Sequence, residues 1–110
     1  MKVTYSDLKN KKVFITGGGS GIGASIVEHF CEQKSEVFFV DINNKDSNKL
    51  INKLKKKKFR LPKFIECDLL DVEKLQNVIK NIIVSRGPIN VLVNNAANDQ
   101  RHKTEEVDEK

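Results

Sequence analysis

The chain has 110 residues, of which 38% are hydrophobic and 32% are charged, and its formal net charge at pH 7 is +5. This length is typical of one small domain with a single core, and it excludes a cofactor domain joined to a separate substrate domain. The longest unbroken apolar run has four residues. A helix that spans a membrane needs roughly 20, so the sequence predicts no membrane span.

The apolar residues alternate along the chain between short runs and helical stripes. The short runs, which predict buried strands, are residues 13–16, 36–41, 64–67 and 89–93. The stripes, which predict the inner faces of the helices between them, are Ile22, Ile26 and Phe30, then Leu50, Ile51 and Leu54, then Val72, Leu75, Val78, Ile79, Ile82 and Ile83. Asp71 is placed to cap the third helix, and Gly87 to end it. The order β-α-β-α-β-α-β, with strands apolar on both faces, predicts an α/β fold with a parallel sheet covered on both sides.

A glycine-rich segment, GGGSGIG at residues 17–23, lies between the first predicted strand and the first predicted helix. A helix amino terminus offers unpaired N–H groups and a positive dipole end, so this arrangement forms a cradle for phosphate. Glycines let the backbone approach a pyrophosphate and let the helix pack closely on the sheet. The spacing is not G-x-G-x-x-G, and no Gly-Lys-Ser/Thr follows, so a P-loop is excluded. The alternative is a glycine-rich turn that binds nothing.

Asp41 is the last residue of the second predicted strand, 24 positions after Gly17. A carboxylate at this place accepts hydrogen bonds from the ribose hydroxyls of NAD and repels the 2′-phosphate of NADP. The alternative is an aspartate that only begins a loop. The pattern favours NAD because the glycine turn and the acid occur together.

Further polar residues follow the third and fourth predicted strands. Asp68 is placed to accept a hydrogen bond from an adenine amino group, although acids often end strands. The amides of Asn94 and Asn95 are predicted either to bridge strands or to touch a ribose, with a plain turn as the alternative. All these residues lie at carboxyl ends of strands, where open α/β sheets bind their ligands.

Two other features indicate no function. Cys31 and Cys67 have no partner motif, which is typical of free thiols in a reducing cytosol, so we expect a cytoplasmic protein without a disulfide or a metal site. The lysine run at residues 53–58 lacks interleaved aromatic residues and lies at a predicted helix end, where cations are favourable. It therefore favours a solvated face over a nucleic-acid surface.

Taken together, TGGGSGIG at 16–23, Asp41, CDL at 67–69 and NNAA at 94–97 resemble the short-chain dehydrogenase/reductase family over nearly the whole chain. The segments 6–9, 40–42 and 98–103 are similar to its NAD-dependent D-xylose 1-dehydrogenase branch. The resemblance implies a Rossmann-type doubly wound fold, NAD as cofactor, and oxidation of an aldose or another secondary alcohol, at C1 to a lactone for an aldose such as D-xylose. It also implies a homo-oligomer for the full-length form.

The resemblance also assigns cofactor-binding residues, although Ala97 departs from the glycine more common in the family. It implies that the pyrophosphate and nearby ribose are held by Gly17, Gly19, Ser20, Gly21, Ile22 and Gly23. It implies that Asp41 and Ile42 bind the adenosine ribose and flank the adenine, that Asp68 and Leu69 contact the adenine, and that Asn95 and Ala96 line the ribose side of the cleft.

The catalytic residues of the family are missing from this sequence. They are a Ser and a Tyr-x-x-x-Lys in the second half, and the one tyrosine here, Tyr5, precedes the first strand although Lys9 completes the string. His102 is predicted to be a solvated residue or, by analogy with the branch, a substrate contact. We therefore expect residues 1–110 to be the N-terminal NAD-binding portion of one domain, inactive alone. The alternatives are an inactive dinucleotide-binding module and a remnant that binds nothing.

Overall fold

The computed structural model describes residues 6–95. After a short 3-10 turn at Ser6–Leu8, these residues form β1 (Lys12–Thr16), α1 (Gly21–Glu32), β2 (Glu36–Asp41), α2 (Asn44–Lys56), β3 (Lys63–Glu66), α3 (Val72–Arg86) and β4 (Val91–Asn94). The predicted alternation of strands and helices is confirmed. None of the helices in this range is long and apolar enough to cross a membrane.

All pairings in the described sheet are parallel, and the strand order is β3-β2-β1-β4. β1 lies between β2 and β4, so that Val13 is in register with Val37 on one side and with Val91 on the other. The chain steps outward from β1 to β3 and then returns to the opposite side of β1 through α3. The strand order therefore reverses at β1, and open sheets of this kind bind ligands beside such a switch point.

Each face of the sheet carries its own core. On one face, Val13, Ile15 and Phe39 pack with buried residues of α1 and α2, and the Phe39 ring stacks on Phe64 with their centroids 5.2 Å apart. On the other face, Phe14 and Phe38 pack beneath α3. Helices on both faces confirm the predicted doubly wound α/β architecture.

The buried stripe of α1 differs from the predicted one. Gly23, Val27 and Cys31 are buried, whereas Ile22 is 73% exposed. The other two residues of the predicted stripe are only partly buried and pack against the edge of the core. The helix turns its glycine toward the sheet because a residue without a side chain allows the closest approach of the two backbones. The stripe therefore begins one position later than the apolar pattern indicates.

The predicted inner face of α3 is too wide. Val72 and Ile83 are 57% and 45% exposed, and within the helix Ile82 is the buried residue, with Leu75, Val78 and Ile79 packed around it. Successive helix positions lie about 100° apart, so Ile82 and Ile83 cannot both face the sheet. Two strand limits also shift: β3 ends before Cys67, and β4 begins two residues later than expected and ends at Asn94.

The helices that follow β2 and β3 begin with side-chain caps. The Asn43 side chain accepts a hydrogen bond from the Asp46 N–H at 2.9 Å, and the Asp71 carboxylate accepts one from the Lys74 N–H at 3.1 Å. The predicted role of Asp71 is thus confirmed. At the other end of α3, Gly87 takes a positive φ of 95°, which favours glycine and ends the helix as predicted.

Candidate functional site

The glycine turn is tied to both neighbouring strands of β1. The Gly17 N–H donates to the Val40 carbonyl of β2 at 2.8 Å, and the Gly17 carbonyl accepts from Asn95 Nδ2, beyond β4, at 3.1 Å. Gly17 and Gly21 both have positive φ values, 68° and 58°. The turn therefore depends on glycine for its path, and the polar backbone atoms of Gly17 fix it in place.

Gly23 and Gly21 have opposite surroundings. A Cβ at Gly23 would lie 1.9 Å from the Gly17 carbonyl oxygen and 2.7 Å from Asn95 Nδ2, which no side chain tolerates. A Cβ at Gly21 would meet nothing within 4 Å. Gly23 thus serves the packing of α1 on the sheet, whereas Gly21 borders open space at the amino terminus of the helix.

The first turn of α1 has no cap from its own sequence. Ser20 occupies the N-cap position with an extended backbone, and its side chain makes no capping hydrogen bond. No acidic residue lies in this first turn, whereas α2 and α3 carry Asp46 and Glu73 there. The first turn of α1 therefore carries no acidic residue of its own, and its positive dipole end suits a bound phosphate group.

The Asp41 carboxylate lies beside the glycine turn. Its Oδ2 accepts from the Gly19 N–H at 2.9 Å, and its Oδ1 accepts from the Asn43 N–H at 2.8 Å. Asp41 is half-buried, so these bonds orient the carboxylate and leave lone pairs for a further donor. The turn after β1 and the acid at the end of β2 are thus brought together, as the sequence predicts.

Two exposed isoleucines lie at the same edge of the sheet. Ile22 is 73% exposed, and Ile42, directly after Asp41, is 65% exposed. Large apolar side chains at such exposure are available to cover a ligand. Their predicted contacts with a cofactor stay predictions.

The loop between β3 and α3 places its two predicted site residues differently. Asp68 is exposed, and its Oδ1 accepts from the Leu70 N–H at 2.9 Å, so the carboxylate also stabilises the loop. Leu69 is partly buried against the core beneath α3. A role for either residue beside an adenine stays a prediction.

Asn94, which ends β4, and Asn95, which follows it, act as bridges. Thr16 Oγ1 donates to Asn94 Oδ1 at 3.0 Å, and the Asn95 amide donates to the Gly17 carbonyl. Of the roles predicted for these amides, bridging is confirmed. Ala96, the segment 98–103 with His102, and Tyr5 lie outside the described residues.

Both cysteine thiols are buried in the core. Burial raises the pKa of Cys31 to about 12, and burial also raises the pKa of Cys67. A thiol with a raised pKa is a weak nucleophile at neutral pH. They are free cysteines, and among residues 6–95 no group of His, Cys, Asp and Glu side chains is placed to hold a metal ion.

A cavity of about 470 Å³ lies at the opposite edge of the sheet. The first residues of β2 and β3 and the carboxyl half of α3 line it, including Glu36, Lys63 and Arg86. Arg86 Nε donates to Glu36 Oε2 at 2.6 Å across its rim. Parallel α/β sheets bind ligands at the carboxyl ends of their strands, so the glycine turn, and not this cavity, is the candidate site.

Comparison with known proteins agrees with this geometry. The chain is 45% identical over 103 residues to D-xylose 1-dehydrogenase of Caulobacter vibrioides, which covers 94% of this chain and 40% of the relative. It is 42% identical over 105 residues to a probable galactose dehydrogenase of Rhizobium meliloti, covering 96% of this chain and 41% of the relative. The chain thus spans about two fifths of the length of these curated relatives.

A solved structure shows the same likeness. The ligand-free aldohexose dehydrogenase of Thermoplasma acidophilum superposes with a TM-score of 0.66 at 33% identity, over 83% of this chain and 31% of that one. The sequence profile of the family described as short chain dehydrogenase matches residues 11–110. With the doubly wound sheet, the glycine turn and this match in agreement, the chain belongs to the short-chain dehydrogenase family.

Proposed function

We propose that this chain is the dinucleotide-binding portion of an NAD-dependent sugar dehydrogenase that oxidises an aldose at C1 to a lactone. The observation that carries the proposal is the pairing of the uncapped amino end of α1 with the Asp41 carboxylate at one edge of the sheet. The names of the relatives, which are dehydrogenases of xylose and galactose, support an aldose as substrate.

The residues present fit a pyrophosphate. The backbone at Gly21 faces open space, and the Ser20 hydroxyl caps nothing in α1, so both are available to a phosphate oxygen. Gly23 keeps the start of the helix in close contact with Gly17 at the end of β1. These residues would bind the pyrophosphate through backbone N–H groups and the helix dipole.

The same residues favour NAD over NADP. Asp41 is fixed by the N–H groups of Gly19 and Asn43, and its remaining lone pairs accept the hydroxyls of an adenosine ribose. A 2′-phosphate would meet this carboxylate at close range, and like charges repel. Ile42, exposed beside it, would flank the adenine ring.

When bound, NAD supplies a hydride acceptor for the oxidation of the alcohol carbon. The part of that step which this chain performs is binding and orientation. The two acids predicted as site residues, Asp41 and Asp68, belong to the proposed adenosine side, and the one tyrosine in the sequence, Tyr5, precedes β1. A base for the hydroxyl proton must lie within hydrogen-bond reach of the substrate. We therefore propose that the 110-residue chain binds NAD and does not turn over aldoses by itself.

The test is a calorimetric titration of the purified chain with NAD and with NADP, together with a search for NADH absorbance in the presence of D-xylose and D-galactose. We expect NAD to bind at least about tenfold more tightly than NADP, the size of one charge-assisted hydrogen bond. Asp41→Asn should lower the ratio of the affinity for NAD to the affinity for NADP. Glu73→Gln, which removes an exposed acid on α3, should leave that ratio unchanged. Equal affinity for both dinucleotides contradicts the assignment of Asp41, and NADH formation contradicts the expected inactivity.

A further inference from the structure

One buried hydroxyl in the described part of the chain has no hydrogen-bond partner. Ser47, in the first turn of α2, is fully buried, and its Oγ makes no hydrogen bond. Buried polar side chains in folded proteins are almost always paired, so each exception needs a physical explanation. Nothing in the sequence distinguishes Ser47 from an ordinary helix-start residue.

Ser47 lies close to Gly19 and Asp41, at the proposed ribose site. A Cβ at Gly19 would be 2.4 Å from Ser47 Oγ and 2.9 Å from Asp41 Oδ2, so the two oxygens flank one point over the glycine turn. The Gly19 N–H already donates to that same Oδ2. The hydroxyl therefore lies near the carboxylate that is proposed to select NAD, and it is buried from solvent.

We propose that Ser47 is a positioning residue for Asp41, whose hydroxyl donates to Oδ2 when the carboxylate engages a ribose diol. This inference rests on the proposed function. In the free chain two backbone N–H groups hold Asp41 while Ser47 Oγ has no partner. A diol that donates to the outer lone pairs of Asp41 draws the carboxylate into a slightly different position, in which Oδ2 accepts from the buried hydroxyl. The hydrogen bond then forms in the bound state, so that it contributes to affinity for the ligand and not to stability of the free chain.

This arrangement makes the effect of Ser47 selective. A fully buried hydroxyl behind Gly19 reaches the ligand only through Asp41. It should therefore matter for a dinucleotide that donates its ribose hydroxyls to Asp41, and not for one whose 2′-phosphate prevents that contact. Ser47 would in this way raise the preference for NAD over NADP without touching either molecule.

The experiment compares Ser47→Ala with wild type by calorimetric titration of NAD and NADP and by thermal unfolding without ligand. We expect the affinity for NAD to fall about three- to tenfold, the range of one net hydrogen bond, while the affinity for NADP and the unfolding temperature do not fall. Ser47→Cys, which keeps a weaker donor, should lie between the two. Ser85→Ala removes an exposed hydroxyl on α3 and is the matched control.

A double-variant cycle tests whether the effect passes through Asp41. In the Asp41→Asn background, Ser47→Ala should cause no further loss of NAD affinity. If wild type binds NAD and Ser47→Ala binds it equally well, the role of Ser47 is overturned and the proposed function is not. An equal loss for NAD and NADP with a lower unfolding temperature identifies a structural role and overturns it as well. A wild-type chain that binds no NAD overturns the proposed function, and this inference with it.

Discussion

The amino ends of α1 and α2 follow adjacent parallel strands at the same edge of the sheet, yet they are built in opposite ways. At α2, Asn43 and Asp46 cap each other, since the Asp46 N–H donates to Asn43 Oδ1 and Asn43 Nδ2 donates to Asp46 Oδ2, both at 2.9 Å. At α1, Ser20 caps nothing, and glycines surround it. A helix end that satisfies its own N–H groups adds stability, whereas one that leaves them open can bind an anion.

Two glycines at the open end give the largest expected contrast. Gly23→Ala should destabilise the chain by at least about 2 kcal/mol, because overpacking against backbone cannot be relieved by a side-chain rotation. The new Cβ would lie 1.9 Å from the Gly17 carbonyl oxygen. Gly21→Ala should cost about 1 kcal/mol, since it meets only the strain of a positive φ. Urea unfolding of both variants measures the difference, and equal losses would show that Gly23 is not a packing contact.

The pH dependence of stability tests the burial of α1 near its carboxyl end, where Cys31 belongs to the buried stripe. Burial raises the pKa of Cys31 to about 12 in the folded chain, above its ordinary value of 9.0. Above pH 9 the unfolded chain therefore binds fewer protons at this thiol than the folded one. The contribution is complete below pH 9 and is lost as pH rises toward 12, at about 1.4 kcal/mol per pH unit.

The measurement is urea unfolding at pH 8 and pH 10 for wild type and Cys31→Ala. Every other ionisable group is common to the two proteins, so the difference between their slopes isolates Cys31. A variant with the same loss of stability between the two pH values as wild type would show that this thiol is solvated, and that the stripe does not hold the helix.

The caps give a smaller contrast. Asn43→Ala should destabilise the chain by about 1 kcal/mol because it leaves a first-turn N–H of α2 without its acceptor. Asp71→Ala should cost a similar amount at α3. Chemical denaturation checks both variants, and a loss close to zero for either one would mean that water replaces the cap without cost.

The smallest effect on stability is expected at Ser20. Since its side chain makes no capping hydrogen bond, Ser20→Ala should change the free energy of unfolding by less than about 0.5 kcal/mol. The same variant should weaken NAD in a calorimetric titration if the hydroxyl contacts the pyrophosphate. A loss of stability as large as that of Asn43→Ala would abolish the distinction between the open and the capped helix ends.

The sequence predicts those features that need particular residues at particular places. The glycine spacing, Asp41 at the end of β2 and the cap at Asp71 are local requirements, and the structure brings the first two together as expected. The prediction for the inner face of α1 is wrong because Gly23 carries no hydrophobic signal, while Ile22 does. Only its contact with Gly17 shows which stripe faces the sheet.

Other features depend on contacts between distant segments. In the sequence, Ser47 looks like an ordinary polar residue at the start of a helix. Its burial follows from the approach of Gly19, which belongs to the turn after β1. Asn95 could serve as a bridge or a ligand contact because an amide suits both. Its bond to Gly17 depends on β4 pairing with β1, which no local pattern specifies.

The position of β4 beside β1 also has a consequence for the order in which the chain folds. In register, β1 pairs with β2 residues that follow 24 positions later, as Lys12 does with Glu36, whereas Asn95 joins Gly17 across 78 positions. Pairing between near segments closes a shorter loop and is expected first. On the ribosome, the glycine turn therefore gains its last support only after Asn95 has left the exit tunnel. We expect a nascent chain that ends before this residue to have no complete phosphate cradle.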